Sequence, residues 1–179
     1  MDNIKSIATG TIITLLIGGT AYTINQEDVI QNFADDTGMT QEQAEIYINE
    51  IPEEELATFE TIGLDHIDEG KELLIMANDI DCSNYEYDFE STTLSCSAGK
   101  IQLDKLARNN TSVGQAYIKL DSDSASKEDM SEAIKLIDQL NANYQLEIAS
   151  FIWNMSDIEE LKKTNSYNKA LLKAAIESE

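Results

Sequence analysis

Two cysteines, Cys82 and Cys96, are the residues of this chain best suited to covalent chemistry. An even pair in an exported body favours a disulfide. Closing a loop of about 15 residues contributes roughly 3 kcal/mol in the chain-entropy picture. A zinc site needs more ligands than two thiols and the chain's one histidine, His66, supply.

A second candidate is acidic. Asp121, Asp123, Asp129 and Glu132 fall at positions 1, 3, 9 and 12 of an EF-hand-like spacing, a weak calcium site. Ala125 and Ser126 replace the expected oxygen ligand and turn glycine, and Glu128 stands where an apolar residue usually pins the loop. The competing reading is an acidic loop with Ser124 or Ser126 capping the next helix.

Catalytic chemistry finds little footing. A serine or cysteine nucleophile needs a base beside it. His66, in Leu64-Asp65-His66-Ile67-Asp68-Glu69, reads as a surface residue held by neighbouring carboxylates. The sequence has no phosphate-cradling glycine loop and no HExxH motif. No catalytic residue and no cofactor is expected.

The surface candidate is aromatic. Tyr85, Tyr87 and Phe89 alternate with Glu86, Asp88 and Glu90, the period of a strand. With a return through Thr92–Leu94 they form a short hairpin over 82–97, closed by the two cysteines. Aromatics on a cross-linked tip make good protein anchors, unless that face packs back onto the helices.

The elements that must position these residues begin with an uncharged run. Residues 6–24 are long enough for a membrane helix, at roughly 28 Å for nineteen residues. Ser6, Gly10, Thr14 and Gly18 share one face of such a helix and suit close approach of another. Lys5 on one side and the acidic body on the other place the body outside the cytoplasm. The same run also fits a signal peptide cleaved after Ala21, which would release the body as a secreted protein.

Charge then divides the body. From residue 25 to 90 there are twenty acids and one base; from 91 to 179 there are thirteen acids and ten bases. Nucleic acid is a poor partner for a chain with one arginine and a net charge of −22. Divalent or other cations suit the acidic half.

The remainder reads as helix. Thr40 and Gln43 form a capping box for a helix to about Asn49. Pro52 and three glutamates open the next, which runs to about Asp79 with Leu56, Phe59, Gly63, Ile67, Gly70, Leu74 and Ala77 in one stripe. Two glycines inside a helix imply close approach of another helix. A further helix covers 101–120, with a break expected at Asn109-Asn110. From Lys127 a seam runs through Met130, Ile134, Ile137, Asn141, Tyr144, Ile148, Phe151, Met155 and Ile158. Ser156 and Glu159 offer a restart, and a last helix covers 167–176.

The expected fold is mainly α: an N-terminal transmembrane or signal helix over 1–26, then an acidic extracytoplasmic antiparallel helical bundle over 27–179 with one short disulfide-closed β-hairpin. The function this suggests is a non-enzymatic, membrane-anchored accessory or scaffold subunit that meets other protein subunits. The alternatives are an extracytoplasmic binding module for a cationic or carbohydrate ligand, and an exported structural component of a filament or particle.

Overall fold

A computed structural model describes residues 12–51, 58–83 and 95–178. Its first element is a β-hairpin where a membrane or signal helix was expected. Strands β1 (Ile12–Ile17) and β2 (Thr20–Asn25) pair antiparallel, with Ile13 opposite Ile24 and Leu15 opposite Tyr22. Gly18 and Gly19, at φ 57° and 72°, form the two-residue turn that only glycine adopts without strain.

The residues explain the outcome. Ile13, Leu15 and Ile17 of β1 and Tyr22 and Ile24 of β2 are buried, while Thr14, Thr20 and Thr23 are exposed. That is period-two alternation of β-branched and aromatic residues around a glycine pair. Gly18 donates its N–H to the Leu120 carbonyl at 3.0 Å. A Cβ at Gly18 would lie 2.9 Å from the Ala125 Cβ.

No helix among the described residues is long and apolar enough to cross a membrane. Ser6 and Gly10 lie outside the described residues. Thr14 sits exposed on β1 and Gly18 in the turn, so these two share no helix face. Cleavage after Ala21 would cut β2 and remove β1, whose Leu15 is 0 % exposed. The hairpin residues Ile13, Leu15, Ile17, Tyr22 and Ile24 belong to the same hydrophobic core as the helices.

Seven helices follow among the described residues: α1 (Gln26–Thr37), α2 (Gln41–Glu50), α3 (Phe59–Asp79), α4 (Cys96–Leu120), α5 (Lys127–Asn143), the short α6 (Ala149–Ile152) and α7 (Met155–Glu177). Local signals set most of their starts. Asn25 caps α1, Thr40 and Gln43 make the expected capping box on α2, and Ser126 and Asp129 make another on α5. Asn154 caps α7, ahead of the expected Ser156–Glu159 pair. Pro52 to Ala57 lie outside the described residues.

α3 and α4 pack as a tight antiparallel pair, and the glycines are the reason. A Cβ on Gly63 would sit 2.7 Å from the Gly114 carbonyl oxygen, and one on Gly70 2.8 Å from the Ala107 carbonyl oxygen. α4 runs unbroken through Asn109-Asn110, because both side chains find buried partners. Asn109 accepts from Asn143 at 2.8 Å, and Asn110 donates to the Leu106 carbonyl at 3.3 Å.

Cys82 and Cys96 are bonded, linking the end of α3 to the first residue of α4. Cys96 and Ser97 are helical and Ser95 is the cap, so the expected hairpin over 82–97 does not include that end. Tyr85, Tyr87 and Phe89 lie outside the described residues. Reducing the disulfide lowers stability by about 3 kcal/mol, and the melting temperature by roughly 6–12 °C. Thermal unfolding with and without reductant checks this; coincident melts would contradict it.

The long seam breaks. α5 ends at Asn143, and i to i+3 bonds such as Leu146 N–H to the Asn143 carbonyl carry the chain to α6. Trp153 is extended, at φ −122° and ψ 149°, which stops the helix and turns α7 back along α5. Met130, Ile137 and Tyr144 keep core positions, whereas Phe151 and Met155 are exposed. Asn141 accepts a 3.0 Å bond from Asn165, a polar link between α5 and α7.

Candidate functional site

The reversal at Trp153 opens a cavity of about 530 Å³ between α2, α3 and α7, within the range of small-ligand sites. Helical periodicity builds its walls. Ile62, Asp65, His66 and Glu69 recur at three and four along α3, and Leu161, Thr164, Asn168 and Leu171 do so along α7. Tyr47 and Glu50 enter from α2, Asn110 from α4, and Tyr144 and Trp153 from the helix ends on either side of α6.

His66 is fixed from across the helix pair. Its Nδ1 lies 3.0 Å from Asn110 Oδ1. The Asn110 amide nitrogen is already committed to Leu106, so the oxygen accepts and His66 donates from Nδ1. Nε2 is then a bare acceptor. The ring stacks on Tyr117 at 5.8 Å, and Tyr117 stacks on Phe59 at 5.7 Å. The sequence reading of a surface histidine held by its neighbours is therefore corrected: the Asn110 side chain and the Tyr117 ring hold it.

Burial pushes the His66 imidazole below its ordinary value, against the opposing pull of Asn110 and Asp65. A depressed histidine contributes stability that is complete above the unfolded value of about 6.5 and is lost as pH falls through the folded one. The wild type should therefore lose stability relative to His66→Phe between pH 7.5 and 5.5, in parallel urea melts. The difference isolates this group, as it is the chain's one histidine. Equal slopes would contradict the enclosed, neutral imidazole.

The remaining polar groups are acidic or amide. Glu69 is half-buried, and burial, then Glu72, raise its carboxyl above the usual range. Tyr144 is 4 % exposed, and burial and the Glu69 charge hold its phenol up. Burial also raises the Tyr47 phenol, which donates a 2.8 Å bond to Glu160. Burial pushes the Tyr167 phenol to about 12. The Tyr144 and Trp153 rings meet at 82° with centroids 5.5 Å apart, a right-angled aromatic corner. Glu50, Asp65 and Glu160 are exposed at the rim, and no lysine or arginine lines the cavity.

The other sequence candidates are not brought together. Asp129 is spent on capping α5 and on Lys119 at 2.5 Å, which with Ser126 lowers its carboxyl. Glu132 pairs with Lys135 at 3.5 Å. Asp123 is exposed near the β-hairpin turn, and Asp121 ends α4. Among the described residues, no group of three or more His, Cys, Asp or Glu side chains is placed to hold a metal ion. The cavity residues escaped sequence reasoning because they come from four helices, α2, α3, α4 and α7, and from Tyr144 and Trp153 at the ends of α5 and α6. Only the three-four spacings of Ile62, Asp65, His66 and Glu69 on α3, and of Leu161, Thr164, Asn168 and Leu171 on α7, could have flagged shared faces.

No protein-family model, curated protein or solved structure matches this chain.

Proposed function

We propose that this protein is a non-enzymatic binding domain that holds a small organic ligand in the cavity between α2, α3 and α7. One observation carries the reading: an aromatic-walled cavity of about 530 Å³ with amides inside and carboxylates at its rim. Large rings supply contact area, and a few fixed polar groups supply orientation. The anionic first half of the chain raises the local concentration of cationic solutes near this mouth. The Cys82–Cys96 bond favours an oxidising, extracytoplasmic compartment.

Trp153 is the chain's one tryptophan and lines the cavity. Its fluorescence is therefore a direct reporter. A panel of cationic, neutral and anionic solutes should include members that change it saturably and raise the melting temperature in proportion. A panel that moves neither signal contradicts the reading.

A second reading, an accessory subunit that docks another protein, draws on a different place. Leu74, Ile75, Met76 and Ile101 are exposed near the disulfide end of the α3–α4 pair. Glutamate at Ile75 and Ile101 should abolish co-purification of a native partner without lowering the melting temperature. Unchanged co-purification counts against this reading.

A further inference from the structure

The cavity's charge and aromatic geometry, taken with the binding reading above on which this rests, narrow the ligand. We propose that it is an organic ammonium ion, seated against the Tyr144–Trp153 corner with Glu69 as its counter-ion.

Glu69 is the first reason. It is half-buried beside Tyr144, and no ion pair reaches it among the described residues. The cations nearest in sequence or at the rim are engaged elsewhere. Lys71 pairs with Asp68 at 2.6 Å. Lys163 lies 3.8 Å from Glu160 and 5.6 Å from the Tyr47 ring centre. A half-buried carboxylate without an ion-pair partner is favoured by a cation bound beside it. Burial and then the Glu72 charge raise its carboxyl, and a cation seated beside it opposes that shift.

The rings are the second reason, and they select among cations. Calcium takes six to eight oxygen ligands, which an aromatic corner does not offer. An alkylammonium ion spreads its charge over methyl or methylene groups that favour the electron-rich faces of Trp and Tyr. The floor adds acceptors: His66 donates from Nδ1 to Asn110, so Nε2 presents a lone pair. An anion would meet Glu50, Asp65 and Glu69, with no lysine or arginine in the lining. A neutral sugar could use the amides but leaves Glu69 uncompensated.

The test uses choline and its uncharged carbon isostere, 3,3-dimethylbutan-1-ol, read through Trp153 fluorescence and by calorimetry. Choline should bind at least about tenfold tighter than the alcohol, the size of a desolvated cation–π and ion-pair contribution. Glu69→Gln keeps the shape and removes the charge. It should erase most of that preference and leave binding of the alcohol unchanged, with a thermal melt no lower than that of the unsubstituted protein. Equal binding of choline and the alcohol, or glucose bound in preference to choline, overturns the ammonium inference while the binding cavity stands. Silence from all three probes overturns both. Trp153→Phe, followed by calorimetry alone, keeps an aromatic face and should retain weakened choline binding; full affinity there overturns the corner as the seat.

Discussion

Lys169→Ala lowers the unfolding free energy by about 4 kcal/mol, because it strands a buried carboxylate. The Lys169 side chain, on α7, is 6 % exposed and pairs with Asp36 of α1 and with Asp138 of α5 at 2.5 Å. One ammonium therefore ties three helices. Without it, Asp138 can turn to solvent, since its side chain is 54 % exposed. Asp36, at 16 %, is far less open to solvent. The double variant Lys169→Met with Asp36→Asn removes both buried charges and should recover most of the loss. Urea melts at pH 7 measure all three proteins; a single-variant loss within about 0.5 kcal/mol, the scale of an exposed pair, would contradict the account.

The pH dependence of the same cluster has a definite sign. Burial alone would lower the Lys169 ammonium, but bonds to Asp138 and Asp36 prevail and hold it above its ordinary value. A raised lysine contributes stability that is complete below the unfolded value of about 10.4 and is lost as pH rises through the folded one. Buried tyrosines such as Tyr117 also destabilise the fold at high pH, since they ionise more readily when unfolded. The comparison is therefore wild type against Lys169→Ala, and the gap between them narrows as the pH passes about 10.4.

The second large effect reverses a propensity rule. Alanine ordinarily stabilises a helix interior by about 1 kcal/mol over glycine. Gly63→Ala, Gly70→Ala and Gly114→Ala should each cost about 2 kcal/mol instead, the scale of overpacking. The Gly63 and Gly114 pair together should cost about 4 kcal/mol, or less if one shift relieves both contacts. A Cβ on Gly114 would meet Ile67 Cγ1 at 2.7 Å, and one on Gly63 would meet Ile118 Cγ1 at 2.8 Å as well as backbone. Side chains can yield, whereas carbonyls move only with their helix. Gly63 and Gly70 bracket Asp65, His66 and Glu69, so their contacts also set how deeply α3 carries the cavity wall. The same variants should weaken the His66–Asn110 bond. A raised melting temperature for Gly63→Ala would contradict the close α3–α4 packing.

What the sequence disclosed was local. Thr40 with Gln43, and Ser126 before Asp129, announce helix starts within four residues. Gly63 and Gly70 signal a close helix neighbour, because their cost demands a reason. Two cysteines permit one disulfide. The failures share a different cause, in that one pattern served two structures. An uncharged run at 6–24 satisfies the length of a membrane helix, yet Gly18-Gly19 between alternating β-branched residues also specifies a hairpin. Tertiary burial of Leu15, Ile17 and Ile24 is consistent with the second. The seam from Met130 places Met130, Ile137 and Tyr144 in the core and leaves Ile134 and Asn141 half-buried. Beyond Tyr144 the spacing crosses a chain reversal, and Ile148 and Ile158 stay buried whereas Phe151 and Met155 end up outside.

The cavity was not legible for a related reason. Tyr47, Glu69, Tyr144 and Trp153 are spread over most of the body, and none has a local spacing that marks a site. Tyr144 reads as a seam residue until α5 stops one position before it. Glu69 is one acid among 34, and only its burial beside an aromatic corner distinguishes it.

An amide-resolved NMR titration of the full chain with choline tests the binding cavity most directly. Saturable shifts are expected at the Trp153 indole N–H, at the Asn110 and Asn168 side-chain amides, and along the 62–69 face of α3. Shifts absent from those groups, or spread evenly over the exposed acids of the first half, would contradict it.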